Sequence, residues 1–139
     1  MDCVFCGIVA GSLPSWPVRS DPSTVAFLDV NPATPGHTLV VPRRHAEDLY
    51  TVDADDLAAC VRTAHQVALD LRDRLGAAGM NLFVACRPAG WQTVYHLHVH
   101  VIPRYPDDGL VQPWRVTPGD PAALAEIADR LGGQSTGMR

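Results

Sequence analysis

Apolar residues recur along this chain at two periods, and the switch between them predicts its elements. Between 53 and 75, Leu57, Val61, Ala64, Ala68, Leu71 and Leu75 fall three or four apart and form one stripe, as in an amphipathic helix. Asp53, Asp55 and Asp56 crowd its start, where the helix dipole favours negative charge. Arg72 and Arg74 lie near its end, and Gly76 follows as a stop. The runs 25–30, 37–41, 80–85 and 94–102 are instead rich in β-branched and aromatic residues and bounded by Gly, Pro or Asn. They predict strands, with a shorter strand near Val18. A second helix is predicted over 121–131, opened by Asp120 as N-cap, with Leu124, Ile127, Ala128 and Leu131 on one face. Residues 132–139 read as a flexible tail. The twelve prolines cluster in 14–42 and 88–121, leaving 43–87 to the long helix. The prediction is an α+β fold: one domain over 1–131, with a largely antiparallel five-stranded sheet, one long central helix and a C-terminal helix.

Composition narrows the function classes. A chain of 139 residues can bury one core. A formal net charge of −4 gives no basic face, so a nucleic-acid polymer is not an expected partner. A small anion is compatible, held by backbone N–H groups, histidines and a few arginines. All eleven basic residues are Arg and none is Lys, which with the Ala and Asp enrichment reads as the bias of a high-GC genome. No basic stretch followed by an apolar run opens the chain, and no apolar stretch approaches the roughly 20 residues that span a bilayer. No membrane partner and a cytoplasmic location are therefore expected. There Cys3, Cys6, Cys60 and Cys86 are thiols or metal ligands, not disulfide partners.

The candidate chemistry sits in Gln92-Thr93-Val94-Tyr95-His96-Leu97-His98-Val99-His100-Val101-Ile102. In an extended strand alternate side chains share a face, so His96, His98 and His100 line up while Leu97, Val99 and Val101 anchor opposite. Three imidazoles in a row can attack, donate or accept protons near neutral pH. Three in strict alternation argue against a merely solvated strand face, although histidines two apart on a strand also suit a metal. Cys3-x-x-Cys6 has the spacing of zinc ligands or of a redox pair, and alone it decides neither. A redox motif should follow a strand and open a long helix, which residues 1–6 do not. Cys60 and Cys86 read as small buried hydrophobes.

His96-Leu-His-Val-His-Val-Ile102 resembles the signature of the histidine triad (HIT) nucleotide-binding family. Cys3-Val-Phe-Cys6-Gly-Ile-Val-Ala-Gly, Ala26-Phe-Leu-Asp29, Gly36-His37-Thr-Leu-Val-Val-Pro42 and Arg44-His45 resemble family segments in the family's order. The resemblance implies that His98 is a nucleophile attacking a nucleotide's α-phosphorus, forming a nucleotidyl-histidine that water cleaves. It places His100, Gln92 and Thr93 on the phosphate or leaving group, with the Thr93 hydroxyl able to help protonate a departing amine. His37 becomes a buttress of the catalytic face; by spacing alone it is equally a core histidine. Asp29 would accept the ribose hydroxyls, against the simpler reading of a turn residue before Asn31-Pro32. Phe5, Ile8, Phe27 and Val30 match apolar positions around a purine, and without the resemblance all four read as core.

Some members of the family hold a structural zinc, and the matching positions here are Cys3, Cys6, His45 and His96. The implied function is hydrolysis of purine nucleoside 5′-phosphoramidates by a homodimer. Cleavage of dinucleoside polyphosphates is the enzymatic alternative, and a nucleotide-binding adaptor with residual activity is the alternative of another class. Uridylyl transfer is disfavoured because His100 is present, and a zinc-dependent redox module remains a further reading of Cys3 and Cys6. The chain departs from the family before the triad: Cys86 stands near the usual Asn, and Trp91 replaces the Gly that precedes Gln92. Both leave the leaving-group preference open. Arg87 and Arg104 lie close enough in sequence to reach a phosphate, without an assigned role.

Overall fold

The computed structural model describes residues 3–133. Its elements are α1 (Val4–Val9), β1 (Pro17–Ser20), β2 (Thr24–Leu28), β3 (Thr38–Pro42), α2 (Ala54–Leu75), β4 (Gly79–Phe83), β5 (Val99–Arg104) and α3 (Pro121–Arg130). A short 3₁₀ turn, Pro88–Gly90, precedes β5. The five strands form one antiparallel sheet in the order β1-β2-β3-β5-β4, the α+β class the pattern predicts. Two compact units appear, one up to Gly109 and one from Leu110 onward. In the second, Asp120 caps α3 by accepting from the Ala123 N–H at 3.1 Å, while Leu124, Ile127 and Leu131 are exposed. Residues 134–139 of the expected tail lie outside the described residues. Among the described residues no helix is long and apolar enough to cross a membrane.

The sheet has two differently used faces. Ala26, Val40 and Val99 are paired across β2, β3 and β5, and with Val101 they receive Cys60, Ala64, Val67 and Leu71 of α2. Burying each Val or Leu here stabilises by about 1.5–3 kcal/mol. This stripe corrects the predicted one, because Val61 and Leu75 are exposed. The helix is turned so that small residues, Cys60 and Ala64, meet the sheet. Thr63 is drawn inward by a 2.7 Å hydrogen bond with Thr24 and by donating to Asp21 at 3.2 Å. Asp53 caps α2 by accepting from the Asp55 N–H, and Gly76 ends it at φ 72 with its N–H on Leu71 O. Gly36, at φ 95, lets its loop pass where a Cβ would meet Leu71 and Leu75 at 2.8 and 2.9 Å.

The opposite face carries the row Phe27, Leu39, His100 and Phe83, paired across β2, β3, β5 and β4. Phe5 of α1 packs onto it with Val25, Phe27, Leu39 and Val41. The pattern does not predict α1, whose six residues are too few for a stripe. The triad strand is also shorter than predicted. It begins at Val99, and His96 and His98 lie ahead of it because their segment bonds elsewhere: the Leu97 N–H donates to Ala46 O at 2.8 Å, outside any ladder.

Candidate active site and metal centre

His98 is buried, and its Nδ1 lies 2.8 Å from the His96 backbone oxygen. A carbonyl only accepts, so Nδ1 carries the proton and the neutral ring keeps a lone pair on Nε2. Burial lowers the His98 pKa, against the opposing pull of that hydrogen bond and of Asp29. Phe5 closes on the ring edge-to-face at 5.1 Å, and the His100 ring lies 4.9 Å away, centroid to centroid.

A second chain of bonds fixes His100. The Ala33 N–H donates to His37 Nδ1 at 2.9 Å, which leaves the proton of neutral His37 on Nε2. That Nε2–H faces His100 Nδ1 at 2.9 Å and Asp29 Oδ2 at 3.5 Å. With Nδ1 accepting, neutral His100 carries its proton on Nε2, the outer nitrogen, as a donor. Burial, then the neighbouring His98 and His37, push the His100 pKa down to about 4. His37 is likewise lowered, chiefly by burial. The chain is neutral and directional, from the backbone N–H through two imidazoles.

His98 and His100, but not His37, border a cavity of about 410 Å³, within the usual range for small-molecule sites. Asp29, Phe5, Ile8, Phe27, Val30, Thr93, His98 and His100 all line it, as do Val4, Ser15, Asn31 and Leu39, which sequence reasoning missed. Leu39 is two residues from His37 within the predicted strand 37–41, so strand periodicity alone could have placed it on this face. Asp29 takes the turn position the simpler reading gives it. Its Oδ1 accepts from the Asn31 N–H at 2.8 Å, closing the turn, while Oδ2 is directed to His37.

Gln92 is placed elsewhere. It is buried, its Oε1 accepts from the Arg87 N–H at 2.7 Å, and its Nε2 donates to Glu47 O at 2.7 Å and Val94 O at 3.1 Å. Both amide hydrogens are thus committed to the loop. Arg87 lies in a backbone region reserved for Gly (φ 64, ψ 170) and Trp91 is left-handed (φ 74, ψ 23), each at about 1–3 kcal/mol. What holds Arg87 there is Asp48, only 2% exposed, whose Oδ2 accepts from Arg87 Nε at 3.0 Å and whose Oδ1 accepts from the Tyr50 and Thr51 N–H groups. Burial alone would raise the Asp48 pKa; the Arg87 and backbone bonds outweigh it and hold the carboxyl below its usual range. Arg104 is committed to Asp108 and Asn81. Cys60 is fully buried as expected, its thiol pushed up to about 12 by burial and by Asp56 and Asp21, whereas Cys86 is half-buried.

The remaining triad member belongs to a different cluster. His96 is fully buried, and its Nε2–H donates to Pro42 O at 2.9 Å, leaving the Nδ1 lone pair directed at Cys3 Sγ (3.4 Å), Cys6 Sγ (3.5 Å) and His45 Nδ1 (3.2 Å). Cys6 Sγ also lies 3.3 Å from His45 Nδ1. Tetrahedral zinc with bonds of roughly 2.0–2.3 Å requires ligand separations of about 3.3–3.8 Å. The donor set is of the right kind, the spacing fits, and the far nitrogen of His96 has the carbonyl partner that metal-ligating histidines ordinarily have.

The HIT domain family matches residues 11–107 of this chain. The chain belongs to the HIT family. Protein hit of Bacillus subtilis strain 168 is 35% identical over 133 residues, covering 94% of this chain and 92% of that protein. A crystal structure of a HIT family member from Bacillus subtilis superposes with a TM-score of 0.87 at 32% identity, covering 95% and 96% of the two chains. A zinc-bound histidine triad family protein from Mycobacterium smegmatis gives 0.77 at 35% identity over 94% and 98%. HIT proteins are nucleotide hydrolases and transferases in kind.

Proposed function

We propose that this HIT protein hydrolyses purine nucleoside 5′-phosphoramidates through a covalent nucleotidyl-His98 intermediate. The observation that carries the reading is the Nδ1–H of His98 on the His96 carbonyl, which leaves an unprotonated Nε2 beside the cavity. Phe5, Phe27, Ile8 and Val30 offer apolar surface for the base, and Asp29 Oδ2 offers an acceptor for the ribose hydroxyls. His98 Nε2 attacks the α-phosphorus, and the phosphorus–nitrogen bond breaks. The amine departs with a proton, for which the Thr93 hydroxyl, on the cavity wall, is the donor in this reading. His100 Nε2–H donates to a phosphate oxygen as charge builds there. Water then attacks phosphorus, His98 leaves, and the nucleoside monophosphate is released with a proton. Gln92 acts in this reading as the brace of the loop that presents Thr93, with Asp48 and Arg87 behind it.

The reading includes a structural zinc held by Cys3, Cys6, His45 and His96. It would supply cross-linking alone, tying α1 to the segment that bears His98. The donor geometry and the zinc of the mycobacterial relative support it. A cytoplasmic homodimer joined through its sheets completes the proposal, and light scattering tests the assembly.

The deciding experiment is a brief incubation with an adenosine 5′-phosphoramidate followed by intact-protein mass analysis without acid. A single adenylyl adduct on wild type, absent from His98→Ala, is expected together with released AMP. A folded wild-type protein that binds AMP but forms no adduct and releases none would refute the reading.

A further inference from the structure

The face of the sheet that carries α2 holds a second cavity, of about 470 Å³, between edge strand β1 and the C-terminal half of the helix. It shares only Leu28 with the cavity beside His98. The groove originates in the pairing of β1. Successive strand side chains ordinarily point to opposite faces, but the register of β1 on β2 shifts between Pro17 and Arg19, and Val18 and Arg19 both line the groove. α2 packs on β2, β3 and β5 through Ala64, Val67 and Leu71, and the groove remains where the helix passes β1.

Its walls divide by chemistry. Val18 and Leu75 are exposed apolar side chains beside half-buried Leu28, while Arg19 and Arg74 set two guanidinium groups against one carboxylate, Asp70. Arg19 Nη2 donates to Asp70 Oδ2 at 2.9 Å, but its Nε–H is shut off from water and has no partner among the described residues. Buried donors are ordinarily satisfied, so this one marks a place for an acceptor from outside the chain. Arg74 is exposed and forms no hydrogen bond or ion pair among the described residues, and Asp73 beside it is bonded to Arg72 at 2.7 Å. One net positive charge thus stands in a largely apolar groove.

We propose that this groove binds a small amphipathic monoanion, a carboxylate with a short alkyl tail. The headgroup accepts from Arg19 and Arg74 in charge-assisted hydrogen bonds, and one negative charge balances the one the wall leaves over. The tail lies along Val18, Leu28 and Leu75, which are otherwise wetted apolar surface. A neutral amphiphile would leave the Arg74 charge unmatched, and a small anion without a tail would leave the apolar wall in water.

The test is an NMR titration of the full chain with octanoate, 1-octanol and acetate, each with and without AMP to fill the nucleotide cavity. Octanoate should move the amides of Val18, Arg19, Gly36 and Arg74 in both conditions, with a Kd at or below about 1 mM. Octanol and acetate should each bind at least about tenfold more weakly. Arg74→Gln should weaken octanoate by at least about fivefold at unchanged Tm, since the side chain it replaces holds no other group. Asp70→Asn removes the competing carboxylate from Arg19 and should tighten binding. Shifts confined to Phe5, Asp29 and His98 and abolished by AMP would place octanoate in the nucleotide cavity and overturn the proposal. So would equal binding of octanol, an affinity unmoved in both variants, or no binding up to about 10 mM. Dissociation of a dimer by octanoate, seen by light scattering, would make the groove a subunit contact and likewise overturn it.

Discussion

Two clusters of nitrogen, sulfur and oxygen donors stand on one face of this sheet, and they are built for opposite tasks. Cys3, Cys6, His45 and His96 bring four ligand atoms within 4.8 Å of one another, and Asp29, His37 and His100 bring three. By donor count both suit a metal. Hydrogen bonds from the backbone separate them. At His96 a carbonyl takes the outer N–H, so the lone pair points inward, where a cation needs it. At His37 a backbone N–H takes the outer lone pair, so a proton points inward, where a cation would be repelled. The second cluster is a hydrogen-bond chain ending on His100, and His98 beside it is set by a third backbone group, the His96 carbonyl. One peptide unit thus links the clusters: the residue that would hold the metal also orients the His98 ring.

The largest effect expected from breaking this contrast is that of His98→Ala. It should lower kcat by at least about 10⁴-fold, as loss of a covalent nucleophile does. Bound zinc, read by elemental analysis, should stay near one ion per chain in order of magnitude. Parallel loss of metal and turnover would mean the clusters are not separable from the His98 side.

Next comes Cys6→Ser, or exhaustive chelation. A closed zinc site contributes folding free energy, so Tm should fall by on the order of 10 °C. AMP affinity should weaken with it, because α1 carries both Cys6 and the pocket residues Phe5 and Ile8. Calorimetry on the variant checks both. An unchanged Tm with no zinc in either protein would remove the metal from the account.

His37→Phe should act on the other cluster alone. Without the inward N–H, His100 is free to present either tautomer, and kcat should drop roughly 10–100-fold with zinc content and Tm little changed. Rescue by His37→Gln, whose amide can donate to His100 Nδ1, would separate the bond from the bulk of the ring.

The smallest effect is that of pH. With His100 held down to about 4, its neutral form persists through weak acid, so kcat/KM should stay level from pH 8 to near 5. Stability has the corresponding sign. The folded pKa of His100 lies below the unfolded value of about 6.5, so its contribution is complete above that value and is lost as pH falls towards 4. A thermal-melt series should show Tm declining across that window, with a shallower slope in His100→Asn.

Much of this was legible in the residues. Strict alternation of histidines with Leu97, Val99 and Val101 predicts two faces, and Val99 and Val101 do meet α2. The Asp53 and Gly76 boundaries of the long helix also follow from capping chemistry. Other features were out of reach for stated reasons. The extent of the triad strand depends on the bond from Leu97 N–H to Ala46 O, a partner distant in sequence. The helix stripe turned because Thr63 found Thr24 and Asp21. The commitment of Gln92 to Glu47, Arg87 and Val94 appears once three separated backbone groups converge on it.

What the sequence determined by itself is the inventory and its periodicity: two types of element, a row of imidazoles, four ligand residues and an acid ahead of a turn. Those follow from local sterics and from side-chain chemistry, which neighbours in sequence suffice to express. Tertiary structure decided which nitrogen carries the proton in His96 and His100, because Pro42 and His37, distant in sequence, reach those rings only after the strands have paired. His37 and His98 are set instead by the nearby Ala33 N–H and His96 carbonyl. An imidazole's role depends on its other nitrogen's partner, and the fold supplies that partner.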